Sequence, residues 1–256
     1  MVRRLARNVM LAAADTSLGR RAIESILLRK PELAVEPLGR LLNRPERFAT
    51  VKNWPDELDG FDRLAFLLSS NPLNWGIAAL TFDEAAHLYR TARTVGSGTF
   101  VEIGRFKGGS TFIIAAAMGP DARLYSYDLH VKLVHEFSGS ELDEELRAGL
   151  ARYGLDSRVE LVVADSRTVP PPGPAPLIFV DGDHSYEGAR ADYEHWRPSL
   201  APGGHMLFHD AVPPGGIGGH HEEVARLVAE IERDDHELVR KPGAGTIAHF
   251  VRWKDD

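Results

Sequence analysis

Residues 177–188, "LIFVDGDHSYEG", run from an apolar segment straight into Asp181, Asp183 and His184. A second apolar segment, "GHMLF", ends in His209 and Asp210. Carboxylates and imidazoles gathered at strand ends are equipped for two tasks, holding a divalent cation and moving a proton. If both segments are neighbouring strands of one sheet, Asp181 and Asp210 emerge at the same edge. Oxygen donors suit Mg²⁺, with Mn²⁺ the alternative, and the chain has no cysteine to supply a thiolate. His184 follows Asp181 by three residues and faces the same pocket, where an imidazole that is half neutral near pH 6.5 can accept a proton. Asp183 reads as an acceptor for the backbone of its own turn.

A third strand-like segment exits through "VEIGRFKGGST", residues 101–111. Its glycines let the backbone approach a ligand closely, and a helix beginning near Ser110 points its free N–H groups there. A dinucleotide turn requires G-x-G-x-x-G, whereas Gly104 is followed by Arg105, Phe106 and Lys107. A phosphate loop requires G-x-x-x-x-G-K-[ST], and Ser110 stands where its lysine belongs. S-adenosylmethionine has no phosphate and needs a close backbone approach together with acceptors for a ribose diol. Asp128, ending "RLYSYD", is placed for that diol. For Asp128 alone, a cap or turn is the simpler role; the loop, the acid and the strand order together favour the ribose.

These residues must be positioned by a particular set of elements. "TFVEIG", "RLYSYDL", "VELVVAD", "PLIFVDGD" and "GHMLFHD" alternate with the helical "GSTFIIAAAM", "SELDEELRAGLARYG" and "EGARADYEHWRPSL". That alternation predicts a parallel sheet with helices on both faces. After a helix in "HHEEVARLVAEIERDD", "HELVRK" and "TIAHFVRW" flank "PGAG" and predict an antiparallel hairpin. The expected fold is α/β, a Rossmann-like doubly wound sheet of about seven strands. Residues 1–95 read as a helical extension serving as lid, acceptor contact or dimer contact, and 96–256 as the cofactor-binding domain. Within the extension, Thr81 and Glu84 have capping-box spacing and start a helix near Phe82. The first thirty residues hold seven Arg or Lys against two acids, read as a solvated helix face or dimer contact. "SSNPLNWGI" with Trp75, and "AVPPGGIGGHH" after Asp210, are candidate covers for an acceptor.

The 256 residues carry a net charge of −7, which argues against binding nucleic acid through bulk electrostatics. Apolar runs such as "VMLAAA" fall far short of a membrane span of roughly 20 residues. The chain therefore reads as cytoplasmic, and its N-terminal helices suggest a homodimer.

"VEIGRFKGGST", "YDLH", "VVADS", "LIFVDGDHSYEGARADYEHWRPSLAPGG" and "FHDA" resemble the class I S-adenosylmethionine-dependent methyltransferases. More narrowly they resemble metal-dependent O-methyltransferases of the macrocin-type sugar group and the cephalosporin-hydroxylase-like proteins. The resemblance covers residues 99 to about 253. It implies that Glu102, Gly104 and Ser110 line the methionine end of the cofactor and that Asp128 holds the ribose. Asp165 and Ser166 would meet the adenine, with Asp181 also at the cofactor. Asp181 becomes a metal ligand and His184 the general base. Where the macrocin-type enzymes place an acidic pair after the fifth strand, this chain has His209-Asp210. Asp210 keeps the metal role, and His209 is a nitrogen ligand or a neighbouring polar group. The acceptor implied is a small molecule or saccharide offering a vicinal diol. Two other readings stay open, a nicotinamide-dependent oxidoreductase and a relative that keeps the cofactor pocket without catalysis.

Overall fold

The computed structural model describes residues 46–68, 76–130, 138–211 and 222–254. The chain divides into two compact units, Met1–Glu46 with Ser69–Gly76, and Arg47–Leu68 with Ile77–Asp256. The first unit falls almost wholly outside the described residues, as do Trp75 and the glycine-rich segment 212–221 with His220 and His221. The second unit contains the whole sheet.

Seven strands form that sheet: β1 (Thr99–Ile103), β2 (Arg123–Asp128), β3 (Val159–Val163), β4 (Ala175–Val180), β5 (Leu200–Phe208), β6 (Leu238–Lys241) and β7 (Ala248–Arg252). Their order is β3-β2-β1-β4-β5-β7-β6. Strands β1 to β5 pair in parallel, β7 lies antiparallel to β5, and β6 pairs antiparallel with β7. This is the expected doubly wound sheet with a terminal hairpin. The chain order reverses between β1 and β4, which opens a crevice at their carboxyl ends.

The helices are α1 (Phe82–Val95), α2 (Gly109–Ala117), α3 (Gly139–Ala151), α4 (Tyr186–Trp196) and α5 (Glu222–Asp234). The capping box at Thr81 is present, with the hydroxyl of Thr81 accepting from Glu84 N and the Glu84 carboxylate accepting from Thr81 N. Helix α4 gives way to a single 3₁₀ turn at Arg197–Ser199, because Pro198 has no N–H to continue the ladder.

Alternation along the strands divides the core. Phe100, Leu124, Leu177, Phe179 and Leu207 pack with Phe112, Ile113 and Leu88 on one face. Val101, Ile103, Ile178, Met206 and Phe208 pack with Trp196, Leu227 and Ile231 on the other. Strands covered on both faces read as nearly continuous apolar runs, which is how they were recognisable in the sequence. One boundary differs: β5 begins at Leu200, earlier than "GHMLF". Its pairing with β4 shifts register between Ala175 and Leu177, and Gly203 adopts φ 73°. A left-handed glycine at a bulge lets pairing start before the regular ladder.

Register sets the level of the strand exits. Val180 pairs with Phe208, and Ile103 with both Tyr127 and Val180. Beyond these pairs the ladder continues for one step, with Gly104 N donating to Tyr127 O, Asp181 N to Ile103 O and His209 N to Val180 O. The turns after β1, β4 and β5 therefore leave the sheet side by side.

Candidate active site

The turn after β1 is built to lie against its neighbours. Gly104 has φ 86°, and a Cβ there would collide with the carbonyl oxygen of Asp181. Gly108, at φ 85°, has no room for a side chain beside Leu146. Arg105 turns inward and is fully buried, its Nε and Nη2 donating to the two oxygens of Asp143 at 2.8 and 2.9 Å. A further donation from its Nη1 reaches Ser126 O at 2.5 Å. Such a forked charged pair fixes the loop's geometry as well as its charge.

Asp128 stands beside this turn as expected. Its Oδ2 accepts from Arg105 N and Phe106 N at 2.8 and 2.9 Å, and its Oδ1 from His130 N at 2.6 Å. Phe106 and His130 both have left-handed backbones, at φ 49° and 53°, which these bonds help to hold. A carboxylate offers about four acceptor sites, so capacity remains for a hydroxyl.

Glu102 is completely buried. One oxygen accepts from Thr111 Oγ1 and Ser126 Oγ, each at 2.5 Å, and the other has no hydrogen-bond partner among the described residues. Burial raises its pKa, opposed by the hydroxyls of Ser110, Ser126 and Thr111. Asp165 is gripped by the Arg167 guanidinium at 2.7 and 2.8 Å, which holds its carboxyl below the usual range. Ser166 Oγ donates at 2.6 Å to the buried Asp192 on α4.

On the other side of the crevice, Asp181, His184 and Asp210 each offer one ligand atom, and these atoms lie within 4.8 Å of one another. His184 Nε2 is 3.3 Å from Asp181 Oδ1, and its Nδ1 is 3.5 Å from Asp210 Oδ2. The bond to Asp181 raises the His184 pKa against the opposing effect of burial. Asp210 sits at φ 53°, a strained backbone for a non-glycine residue. Asp183 accepts from Ser185 N at 3.0 Å, the turn role expected of it.

His209 is placed behind this cluster. Its Nδ1 lies 2.8 Å from Asp181 Oδ1 and its Nε2 3.4 Å from Glu84 Oε2. Both nitrogens thus face carboxylates, and the converging set is Asp181, His184 and Asp210. Burial works against charge on His209, but Asp181, Glu84 and Asp210 outweigh it and push its pKa up to about 11. For Asp181, burial is likewise outweighed by the two histidines, and its pKa falls.

Three further polar groups belong to this neighbourhood and carried no functional signal in the sequence. Glu84 was visible only as a cap. Thr246 followed an ordinary turn, and Asp192 lay within a helical pattern. His195 bonds Val169 O through Nε2 at 2.7 Å.

Residues 101–211 match the family model of a methyltransferase domain. That match spans the exits of β1, β4 and β5. The chain is 31% identical over 155 residues to a catechol O-methyltransferase of Mycobacterium tuberculosis. The alignment covers 54% of this chain and 65% of the relative, so the chain spans slightly less than two thirds of that protein's length. Two solved structures share the fold. Cofactor-bound Rv0187, also of M. tuberculosis, has a TM-score of 0.56 at 21% identity, covering 69% of this chain and 83% of its own. The O-methyltransferase TomG of Streptomyces achromogenes, in complex with S-adenosylmethionine, has a TM-score of 0.55 at 18% identity, covering 80% and 94%. The sheet is Rossmann-like, and these two solved structures share that fold. No helix among the described residues is long and apolar enough to cross a membrane.

Proposed function

We propose that the protein is an S-adenosylmethionine-dependent O-methyltransferase acting on one hydroxyl of a vicinal diol, in a sugar, polysaccharide or glycosylated natural product. The observation that carries this reading is the convergence of Asp181, His184 and Asp210 beside the glycine turn after β1. The two carboxylates fit a Mg²⁺ or Mn²⁺ ion, and the imidazole beside them is free to serve as a base. On the cofactor side, the fit rests on the spare capacity of Asp128 and the unpartnered buried oxygen of Glu102.

When bound, S-adenosylmethionine supplies an electrophilic methyl group, and a divalent cation makes a hydroxyl more acidic. The chain's own residues divide the remaining work. Glu102, Gly104 and Ser110 line the methionine end, Asp128 takes ribose hydroxyls, and Asp165 with Ser166 lies toward the adenine. Asp181 and Asp210 hold the cation and so fix the diol. His184 would take the proton of the hydroxyl that accepts the methyl group. Asp181, and more weakly Asp210, raise the pKa of His184 while they are turned on it. A cation held by those carboxylates would weaken that pull and favour the neutral imidazole a base needs. A divalent ion chelates neighbouring oxygens well, and catechol, named for the M. tuberculosis relative, is also a vicinal diol.

Calorimetry with S-adenosylhomocysteine, first in EDTA and then with Mg²⁺ or Mn²⁺, tests both sites. Binding of cofactor and metal, followed by methyl uptake on sugar diols, is the expected result. No binding in either condition removes the methyltransferase reading, and uptake on catechols alone removes the saccharide acceptor.

A further inference from the structure

Among the described residues, one carboxylate outside the β4 and β5 exits is linked through His209 and Thr246 to both acidic members of the candidate metal cluster. Glu84 lies in the first turn of α1 and is almost completely buried. Its Oε2 accepts from Thr81 N at 2.7 Å, which is the helix-capping bond, and lies 3.4 Å from His209 Nε2. Through the other ring nitrogen, His209 meets Asp181 Oδ1 at 2.8 Å. The second oxygen of Glu84 accepts from Thr246 N and Thr246 Oγ1 at 2.7 and 2.8 Å. Thr246 in turn accepts from Asp210 N on its hydroxyl at 3.2 Å, and its carbonyl accepts from Ala211 N at 2.9 Å. These bonds flank the strained backbone of Asp210.

Thus one arm runs from Glu84 through His209 to Asp181, and the other through Thr246 to Asp210. A helix cap needs neither arm. Capping uses one oxygen and one backbone N–H, and the side chain could then remain at the surface, as Glu141 does in the corresponding box of α3. Glu84 instead turns inward, and the loop before β7 is shaped to receive it. Gly245, at φ 55°, is the residue over which the carboxylate lies, where a Cβ would collide with Glu84 Oε1. The "PGAG" turn that marked a hairpin in the sequence therefore also makes room for this contact.

We infer that Glu84 is a positioning residue: through His209 and Thr246 it sets the orientation of Asp181 and Asp210 toward the crevice. The inference deepens the proposed function and rests on it for the metal, although the two arms stand on the geometry of the chain alone. Partners that orient ligating carboxylates and imidazoles are commonly worth about 10- to 100-fold in metal affinity.

The test is Glu84→Gln. Glutamine retains the size and one acceptor oxygen, which can keep the cap at Thr81 N, but it loses the charge that faces His209 and turns its NH2 toward Thr246 N. Mn²⁺ alone is titrated into wild type and variant, S-adenosylhomocysteine affinity is measured in parallel, and the ring ¹⁵N signals of His209 are recorded without metal. Thr81→Ala serves as a control that removes the hydroxyl cap of the same helix. The expected result is Mn²⁺ affinity reduced about tenfold or more, shifted His209 ring signals and cofactor affinity changed by less than about twofold. Thr81→Ala should lower the melting temperature without the other changes. Wild-type Mn²⁺ affinity and unmoved ring signals in Glu84→Gln would overturn the inference and leave Glu84 a helix cap. If wild type itself binds no Mn²⁺, the metal reading fails, and the His209 signals decide the inference: shifted, it stands; unmoved, it falls. Should Glu84→Gln not fold, Thr246→Val removes the hydroxyl of the second arm. It is expected to weaken Mn²⁺ severalfold, and unchanged affinity would overturn the role of that arm.

Discussion

The two sides of the crevice are held in different ways. Around the turn after β1, polar groups are bound to partners close by in the fold, with Asp128 taking three backbone N–H groups and Arg105 forked onto Asp143. Around Asp181 and Asp210, carboxylates and histidines face one another at 2.8 to 3.8 Å, and their outer supports come from α1 and from the loop before β7. The first side is a cradle braced by the chain's own hydrogen bonds. The second concentrates ionisable groups that an added cation would rearrange electrostatically. Substitutions on the cofactor side should therefore affect the fold first, and those on the metal side the chemistry first.

Arg105→Ala should break the cradle most severely. It leaves the buried Asp143 without its guanidinium, and losing one member of a buried pair costs about 3–5 kcal/mol. Urea unfolding should show this loss, whereas a change under about 1 kcal/mol would mean that the pair does not organise the turn. On the other side, His184→Ala should keep its unfolding midpoint, because the ring is substantially exposed, at 40%. Methyl transfer to a diol acceptor should fall by about 10²- to 10⁴-fold, the usual range for a general base. Asp210→Asn should likewise lose metal-supported transfer while S-adenosylhomocysteine still binds. If either substitution abolished cofactor binding instead, the two sides would not be separable.

Asp128→Ala is an intermediate case, since the carboxylate serves both the turn and the expected ribose. Three backbone donors lose their acceptor, so about 1–3 kcal/mol of stability should go together with cofactor affinity. Full stability with weakened cofactor binding would instead make Asp128 purely a ligand-binding residue.

The two sides also differ in how far they could be read from sequence. Strand exits were legible because continuous apolar runs and glycine-rich turns leave local patterns, which placed Gly104, Asp128, Asp181 and Asp210 at one edge. The capping box at Thr81 and Glu84 was equally local. What escaped was the direction of side chains whose partners are remote. Glu84 meets His209 across 125 positions and Thr246 across 162, and no spacing rule registers such a pair. Arg105 appeared in the sequence only as a residue that interrupts a glycine pattern, because its partner Asp143 lies 38 positions away in α3. His209 stood beside Asp210 in sequence. Yet consecutive residues at a strand end point in different directions, and the left-handed backbone of Asp210 separates them further.

The smallest expected effect concerns a second polar seam, beneath α1 and outside the crevice. His249 on β7 is nearly buried between two other imidazoles, with His87 Nε2 at 3.1 Å from its Nδ1 and His205 Nδ1 at 2.8 Å from its Nε2. Burial, reinforced by His205, His87, Arg240 and Lys241, pushes its pKa down to about 3. The folded state therefore resists protonation, whereas the unfolded chain accepts a proton near pH 6.5. A depressed histidine contributes its stability fully above that unfolded value and loses it as the pH falls from about 6.5 toward 3. Between pH 7 and pH 5 the loss from this one group is about 2 kcal/mol. Because both ring nitrogens of His249 are taken up by His87 and His205, His249→Phe should flatten this part of the stability profile while leaving Mn²⁺ affinity as in wild type. Urea midpoints measured across that range check the first effect. An unaltered pH slope would mean that the imidazole chain takes up a proton without cost, by rearranging its own bonds.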